Sequence, residues 1–420
     1  MKTKLFNILV LTFTFNIVFA QSGWFLQTSG TSVPLSSVHF IDNNTGWTVG
    51  YPGTILKTTN GGTNWTSQTS GTSNFLWSVQ FIDNNTGWTV GNFGTILKTT
   101  NEGTNWTSQT SGTSNELYSV QFIDNNTGWT VGDGGTILKT TNGGTNWTSQ
   151  TGGGDFLYSV YFIDNNTGWT VGAVYFKAGI IFKTTNGGTN WTSQTGGGNV
   201  LTSVHFIDNN TGWTVGGDIF SNGFIFKTTN GGIEWTFQTG GSNIFLSVHF
   251  IDNNIGWSVG SGGTILKTTN GGTSWTSQTS GISNRLNSVH FIDNNTGWTV
   301  GYPGGTILKT TTGGVITGIQ TISSEIPTQF MLLQNYPNPF NPSTVISYTI
   351  GTSQLSVSSF ISLKVFDLLG REVSTLVNEK QNAGTYSIQF DGSNFSSGVY
   401  FYKLAVEGNI IDTKRMVLLK

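Results

Sequence analysis

Carboxylates and aromatic rings gather in a few short segments of this 420-residue chain. Glu116, Asp133, Asp155 and Asp218 lie in or beside segments carrying Phe75, Trp77, Tyr118, Phe156, Tyr158, Tyr175, Phe176 and Phe220. Aromatic faces with a few polar groups suit a flat, neutral ligand such as a sugar; the same rings could instead pack against their neighbours. Two carboxyls roughly 5 to 10 Å apart would serve glycoside hydrolysis, but nothing in the sequence forces two of these four together. Four histidines, His39, His205, His249 and His290, share one position of a recurring pattern that holds Gln80, Gln121 and Tyr161 in its other copies. Zinc would need convergent ligands, and the histidine copies are not all adjacent, so hydrogen bonding between neighbouring repeats is the expected role. The aspartate of a repeated D-N-N-T-G turn lacks the further carboxylates that calcium requires and reads as a turn cap. No metal or cofactor is expected.

The elements that position these residues follow from the repeat. The pattern F-I-D-N-N-[TI]-G-W places tryptophan at 47, 88, 129, 169, 213, 257 and 298, a period of 40 to 44 residues. Such a period, with short alternating apolar runs and glycine-rich turns, predicts the blades of a β-propeller. Each copy reads as four strands, L-x-S-V-x-F-I, G-W-T-V-G, T-I-L-K-T-T and W-T-S-Q-T, with Asn and Gly supplying the tight turns between them. The seventh copy lacks its fourth strand, whereas Trp24 and the residues after it align with Trp65 and its successors. The N-terminal segment is therefore expected to supply the missing strand, closing a seven-bladed ring and covering an open sheet edge.

In a four-stranded blade the first and third turns share one face of the ring. The second turn and the interblade link share the other. The first-face turns are nearly identical in every copy, whereas the second-turn loops and the links vary, and blades 4 and 5 carry longer loops at 173–179 and 217–223. All twelve candidate residues named above belong to this variable face. Lys57 and its equivalents down to Lys309 read as solvated or inter-blade stems.

The third turn carries the series Thr58-x-Asn60-x-Gly62-x-x-Trp65, repeated down to Thr268, Asn270, Gly272 and Trp275. It resembles the Asp-box (BNR) hairpin of sialidases, sortilin-type receptors and some glycoside hydrolases. With G-W-T-V-G and T-I-L-K-T-T around it, the segment from about residue 23 to 314 is similar to the photosystem II stability/assembly-factor-like propellers. The family's aspartate is asparagine in every copy here, which an amide can replace in the turn and which weakens a metal role. Sialidases hold a substrate carboxylate with three arginines, and this segment has one, Arg285.

Outside the ring, residues 1–20 read as a secretory signal peptide: Lys2 and Lys4, an apolar stretch, then Val18 and Ala20 at the cut. No other segment is apolar enough to span a bilayer. The propeller is assigned to 21–314, a linker to 315–334 and a small β-sandwich to 335–420. The motifs Tyr336–Pro342, Leu363–Val373, Gly398–Leu404 and Thr413–Lys420 resemble, in that order, the C-terminal sorting domain of type IX secretion substrates. That resemblance implies a partner in the outer-membrane secretion machinery and a product that is secreted or on the cell surface of a Gram-negative bacterium. Formal net charge is −2, only 9% of residues are charged and the 18 lysines and arginines form no cluster, which sets nucleic acid aside. The absence of cysteine removes disulfides and thiolate sites.

The expected product is an all-β, secreted, non-catalytic propeller that binds or scaffolds surface carbohydrate or protein. Two alternatives stand beside it: a glycoside hydrolase using a carboxylate pair on the variable face, and an assembly-factor-like protein scaffold. A secreted chain has no evident access to a photosystem, so only the scaffold behaviour of that family is carried over.

Overall fold

The computed structural model describes residues 23–175, 178–194, 199–218, 220–314, 320–323, 330–351 and 358–419. The expected signal peptide and Phe176 lie outside the described residues. Two compact units are present, one spanning 22–315 and the other including 316–420.

The first unit is a ring of seven four-stranded antiparallel sheets. Blade 1 comprises Leu35–Phe40, Gly46–Gly50, Thr54–Thr58 and Thr66–Gln68. Blades 2 to 6 repeat that order from Leu76, Leu117, Phe156, Val200 and Phe245. Blade 7 joins Arg285–Phe291, Gly297–Tyr302 and Thr306–Gly314 to the N-terminal strand Gly23–Leu26, which pairs antiparallel with the third strand. Trp24 is buried there and its indole Nε1 donates to Gln278 Oε1 of blade 6 at 2.9 Å. The ring is closed as the missing tryptophan of copy seven predicts.

Each repeated residue has a place in the seams between blades. The second-strand tryptophan lies flat on the first-strand phenylalanine of the next blade: Trp47 on Phe81 at 3.5 Å, and Trp298 on Phe40 across the closure at 3.5 Å. That stack needs the glycine before the tryptophan, since a Cβ on Gly87 would sit 2.6 Å from the Phe81 ring. The indole N–H then reaches the third-turn backbone of the following blade, as Trp88 Nε1 to Gly143 O at 3.2 Å and Trp298 Nε1 to Gly61 O at 3.1 Å. The third-strand lysines lie over the tryptophan of their own blade, with Nζ 5.1 to 5.5 Å from the ring centroid, so they are cation–π partners as well as stems.

The turns are capped as expected. Asp42 Oδ1 accepts from Asn44 N and Thr45 N, both at 2.7 Å, and Asp83, Asp124, Asp164, Asp208, Asp252 and Asp293 repeat this. In the Asp-box turn, Asn60 Oδ1 accepts from Thr58 Oγ1 at 3.0 Å and Asn64 N at 2.9 Å. The cap itself uses only the carbonyl-type oxygen, which is why asparagine serves where the family carries aspartate; in blade 6 the amide of Asn270 also donates, from Nδ2 to Ser274 Oγ at 2.9 Å.

The second unit is a sandwich of two four-stranded antiparallel sheets. One orders Gln320–Ser323, Gly384–Asp391, Ser343–Ile350 and Met331–Leu332; the other orders Glu372–Asn382, Ser358–Phe366, Gly398–Val406 and Asn409–Leu418. Two of these strands, 320–323 and 331–332, come from the segment expected to be a linker. Tyr348, Leu363, Tyr402 and Met416 from both sheets share one core. The proline-rich motif lies along the last strand: Phe340 N donates to Val417 O at 2.9 Å, and Val417 N to Asn338 Oδ1 at 2.9 Å.

Candidate functional site

The first strands of the blades line the inside of the ring, because each bonds to the first strand of the next blade. A serine Oγ of one blade accepts from a valine N–H of its neighbour in all seven seams, from Ser37 with Val79 round to Ser288 with Val38. Two residues further along sits the His/Gln/Tyr position. Ring closure makes blade 7 the neighbour of blade 1, so the four histidines are consecutive, in blades 5, 6, 7 and 1. This corrects the expectation that they are not all adjacent. Their ring centroids follow at 5.0, 4.9 and 4.6 Å from His205 through His249 and His290 to His39.

These imidazoles bridge blades. Nδ1 of His39, His249 and His290 accepts from the N–H of Phe81, Phe291 and Phe40 at 3.4, 2.9 and 3.4 Å, which leaves the proton of the neutral ring on Nε2. Gln80 and Gln121 do the same with their amide oxygens to Phe122 and Phe162, and also donate from Nε2 to the carbonyls of those residues at 3.0 Å. Among the described residues His205 Nδ1 is buried without a hydrogen-bond partner. Burial holds His39 and His249 down to about 4 and lowers His205 and His290 as well, with neighbouring histidines adding to it in the last three. Among the described residues no three His, Asp or Glu side chains are grouped to hold a metal ion.

The position after the first-strand leucine lies at the variable-face end of the same strands, and it divides the ring. In blade 1, Ser36 Oγ donates to Leu76 O of blade 2 at 2.5 Å. In blade 5, Thr202 Oγ1 donates to Phe245 O of blade 6 at 2.9 Å, and in blade 7, Asn287 Nδ2 donates to Leu35 O of blade 1 at 2.8 Å. Blades 2, 3 and 4 place Trp77, Tyr118 and Tyr158 there instead. Trp77 and Tyr118 meet edge to face at 5.7 Å, and Tyr118 and Tyr158 are tilted at 5.4 Å. The row continues at one end through Phe75, 3.9 Å from Trp77, to Tyr51, and at the other to Phe156, 6.1 Å from Tyr158. All of these except the exposed Tyr51 are half-buried.

Polar groups fix the row. Trp77 Nε1 donates to Asn92 Oδ1 at 2.6 Å, and Tyr118 OH donates to Glu116 Oε2 at 3.0 Å. Asp133 is brought alongside because its N–H donates to the Glu116 carbonyl at 2.8 Å. Burial raises the Tyr118 hydroxyl, with Glu116 and then Asp133 adding to the shift, and burial with Asp133 pushes Tyr158 up to about 12.

Of the sequence candidates, Phe75, Trp77, Glu116, Tyr118, Asp133, Phe156 and Tyr158 thus come together. Asp155 is spent on the blade 4 loop, where Oδ2 accepts from Tyr175 N at 2.7 Å. Asp218 closes the blade 5 loop by accepting from Phe220 N, Asn222 N and Asn222 Nδ2, each at 2.9 Å, and these bonds hold its carboxyl below the usual range. Tyr175 and Phe220 are 74% and 78% exposed and take no part in the described ring contacts. Sequence reasoning left out Tyr51, Asn92 and Phe93. Phe93 was findable by alignment to Gly134 and Gly262: all three have left-handed φ, of 55°, 59° and 65°, and blade 2 places there a ring that is 71% exposed, as the longer blade 4 loop does with Tyr175 at φ 49°.

A family model described as photosynthesis system II assembly factor YCF48 matches residues 18–111, 106–196 and 238–337. A second, described as a secretion system C-terminal sorting domain, matches residues 334–418. Among solved structures, a YCF48 bound to D1 peptide is similar at 21% identity and TM-score 0.58, over 69% of this chain and 95% of that one. YCF48 from Cyanidioschyzon merolae is similar at 21% identity and TM-score 0.57, over 68% and 98%. The WD40 propeller domain of Doa1 shares the fold at 14% identity and TM-score 0.56, over 68% and 96%. No curated protein sequence matches the chain.

Proposed function

Since the chain belongs to the photosynthesis system II assembly factor YCF48 family and ends in a secretion-system sorting domain, we propose that it is an exported, non-catalytic propeller that binds surface carbohydrate or protein. The sorting domain, of the type IX kind, directs it outward through the outer-membrane machinery, so the family's binding role is carried over without a photosystem. One YCF48 structure holds a peptide, which makes a polypeptide a precedent among partners.

The observation that carries this reading is the division at the ring's variable face. Where the fold needs only a seam, Ser36, Thr202 and Asn287 supply an inter-blade hydrogen bond. Three consecutive blades replace that bonding residue with Trp77, Tyr118 and Tyr158, whereas blade 6 places Leu246 there, and the second-turn loop of blade 2 holds a left-handed, exposed Phe93. Half-buried aromatics of this kind present apolar area at low rotamer cost. The hydrolase alternative gains no support, because Asp133, Asp155 and Asp218 each accept from backbone N–H groups of their own loops and Glu116 accepts from the Tyr118 hydroxyl.

The test uses the mature chain on immobilised glycans and on outer-membrane proteins, with Phe156→Ala plus Tyr158→Ala as the variant. Binding should weaken by about tenfold or more, of the order of the loss of one anchor residue. Soluble sugars should compete away a carbohydrate contact and spare a protein one. A face that binds nothing, or a double variant that binds like the parent, overturns the proposal.

A further inference from the structure

Resting on the binding role of this face, we infer that its partner is an extended polypeptide segment bearing lysine or arginine, whose cationic side chains lie over Trp77, Tyr118 and Tyr158 beside Glu116 and Asp133.

Charge argues for a cation. The links and second-turn loops of blades 2 to 4 carry Glu116, Asp133 and Asp155 against a single ammonium, Lys177, which lies outside the described residues. The one arginine of the propeller, Arg285, is in blade 7, where its Nε donates to Asn287 Oδ1 at 3.0 Å. Glu116 Oε2 accepts from the Tyr118 hydroxyl at 3.0 Å, and Asp133, whose Oδ1 accepts from Gly134 N at 2.9 Å, is held beside it by its own N–H bond to the Glu116 carbonyl at 2.8 Å and by a backbone bridge to Phe156, so the two carboxylates flank the row between Tyr118 and Phe156. Neither forms a salt bridge among the described residues. An aromatic face beside an uncompensated carboxylate attracts an ammonium or guanidinium by cation–π and Coulomb terms together. A neutral sugar would use the rings and leave that charge unanswered.

Shape argues for a segment. The row runs unbroken from Tyr51 in blade 1 to Phe156 in blade 4, each ring 3.9 to 6.1 Å from the next. A small cation would cover one or two rings. A chain with basic residues at its centre and apolar ones at its ends would match the carboxylates beside Tyr118, with Tyr51, Phe75 and Phe156 at the margins.

The experiment measures fluorescence anisotropy of a labelled peptide with arginines at its centre and leucines at its ends, added to the mature full chain. The same peptide with glutamine for arginine is the neutral probe, and a neutral oligosaccharide panel runs in parallel. The arginine peptide should bind saturably and about tenfold or more tighter than the glutamine peptide. Glu116→Gln with Asp133→Asn should erase that preference, whereas Glu234→Gln, in a third-turn loop on the opposite face, should leave it unchanged. Near-ultraviolet circular dichroism of the tryptophans reports folding of each variant. Equal binding of the two peptides, a preference that survives the double variant, or equal sensitivity to Glu234→Gln overturns the cation inference. If the oligosaccharides bind instead and Trp77→Ala abolishes it, the cation inference falls and the binding face stands. If no probe responds to Trp77→Ala, both fall.

Discussion

Blades 2 to 4 and blades 5, 6, 7 and 1 are copies of one repeat, yet they solve the same two seam positions differently. Inside the ring the first group uses Gln80, Gln121 and Tyr161, and the second uses four consecutive histidines. At the variable-face end the first group uses Trp77, Tyr118 and Tyr158, and the second uses Thr202, Leu246, Asn287 and Ser36, three of which bond to the next blade. Both divisions fall at the same blade boundaries. Seam packing alone would be met by one solution repeated seven times, as the Trp–Phe stack and the Ser–Val bond show. A position that changes by sector while its neighbours stay fixed is answering to something besides the seam. The three-blade sector presents aromatic surface; the four-blade sector buries titratable groups.

The comparison presupposes a closed ring, because only closure makes blades 7 and 1 neighbours. Breaking it should therefore have the largest effect. Trp24→Ala empties a buried site, removes the bond to Gln278 Oε1 and should cost about 3–5 kcal/mol, read as a lower urea midpoint. A variant that unfolds at the parent's midpoint would mean that the N-terminal strand does not hold the ring.

Acid tests the four-blade sector. A histidine depressed in the folded state binds its proton more readily when unfolded, so stability rises with pH across the interval between the two values. For His249 the folded value is about 4. Its contribution is complete above the unfolded value of about 6.5 and is lost as pH falls, by about 3 kcal/mol at pH 4. His249→Gln places there the residue that Gln80 and Gln121 show to fit the seam, accepting from Phe291 N and donating to its carbonyl. Unfolding free energies at pH 7 and pH 4 should then lie closer together in the variant than in the parent. An unchanged pH dependence would remove His249 from the acid response.

Much of this frame was legible in the residues. The period gave the blades, the missing tryptophan of copy seven gave the closure, and Asn in the Asp-box and Asp in D-N-N-T-G gave the caps, because each is a local pattern with one backbone solution. Adjacency on a circle was harder: His39 is the furthest of the four from His290 in sequence, yet 4.6 Å from it ring to ring. The aromatic row was legible as a set of variable positions. Its order, and the roles of Tyr51 and Asn92, depended on side-chain directions at the bulge between Leu76 and Ser78 that spacing does not encode. Asp155 and Asp218 resembled site carboxylates because capping and ligand binding draw on the same residue type.

The smallest expected effect on stability is the most discriminating. Tyr118→Thr gives blade 3 the residue of blade 5, whose hydroxyl donates to the next blade's carbonyl at 2.9 Å. The new bond to Leu157 O contributes about 1 kcal/mol and offsets most of the aromatic area lost, so the urea midpoint should move by no more than about 1 kcal/mol while binding at the face falls. If the row exists to pack the blades, the outcome reverses: a half-buried tyrosine wedged between Trp77 and Tyr158 would cost about 2 kcal/mol or more on truncation, with partner binding lost only in proportion to unfolding. Thr202→Tyr runs the exchange the other way. It should lose the seam bond in blade 5 and gain no binding, because the neighbouring mouth residues, Tyr158 of blade 4 and Leu246 of blade 6, offer a ring on one side only. Aromatic identity at one position is then insufficient, and three consecutive blades are the unit that the proposed binding requires.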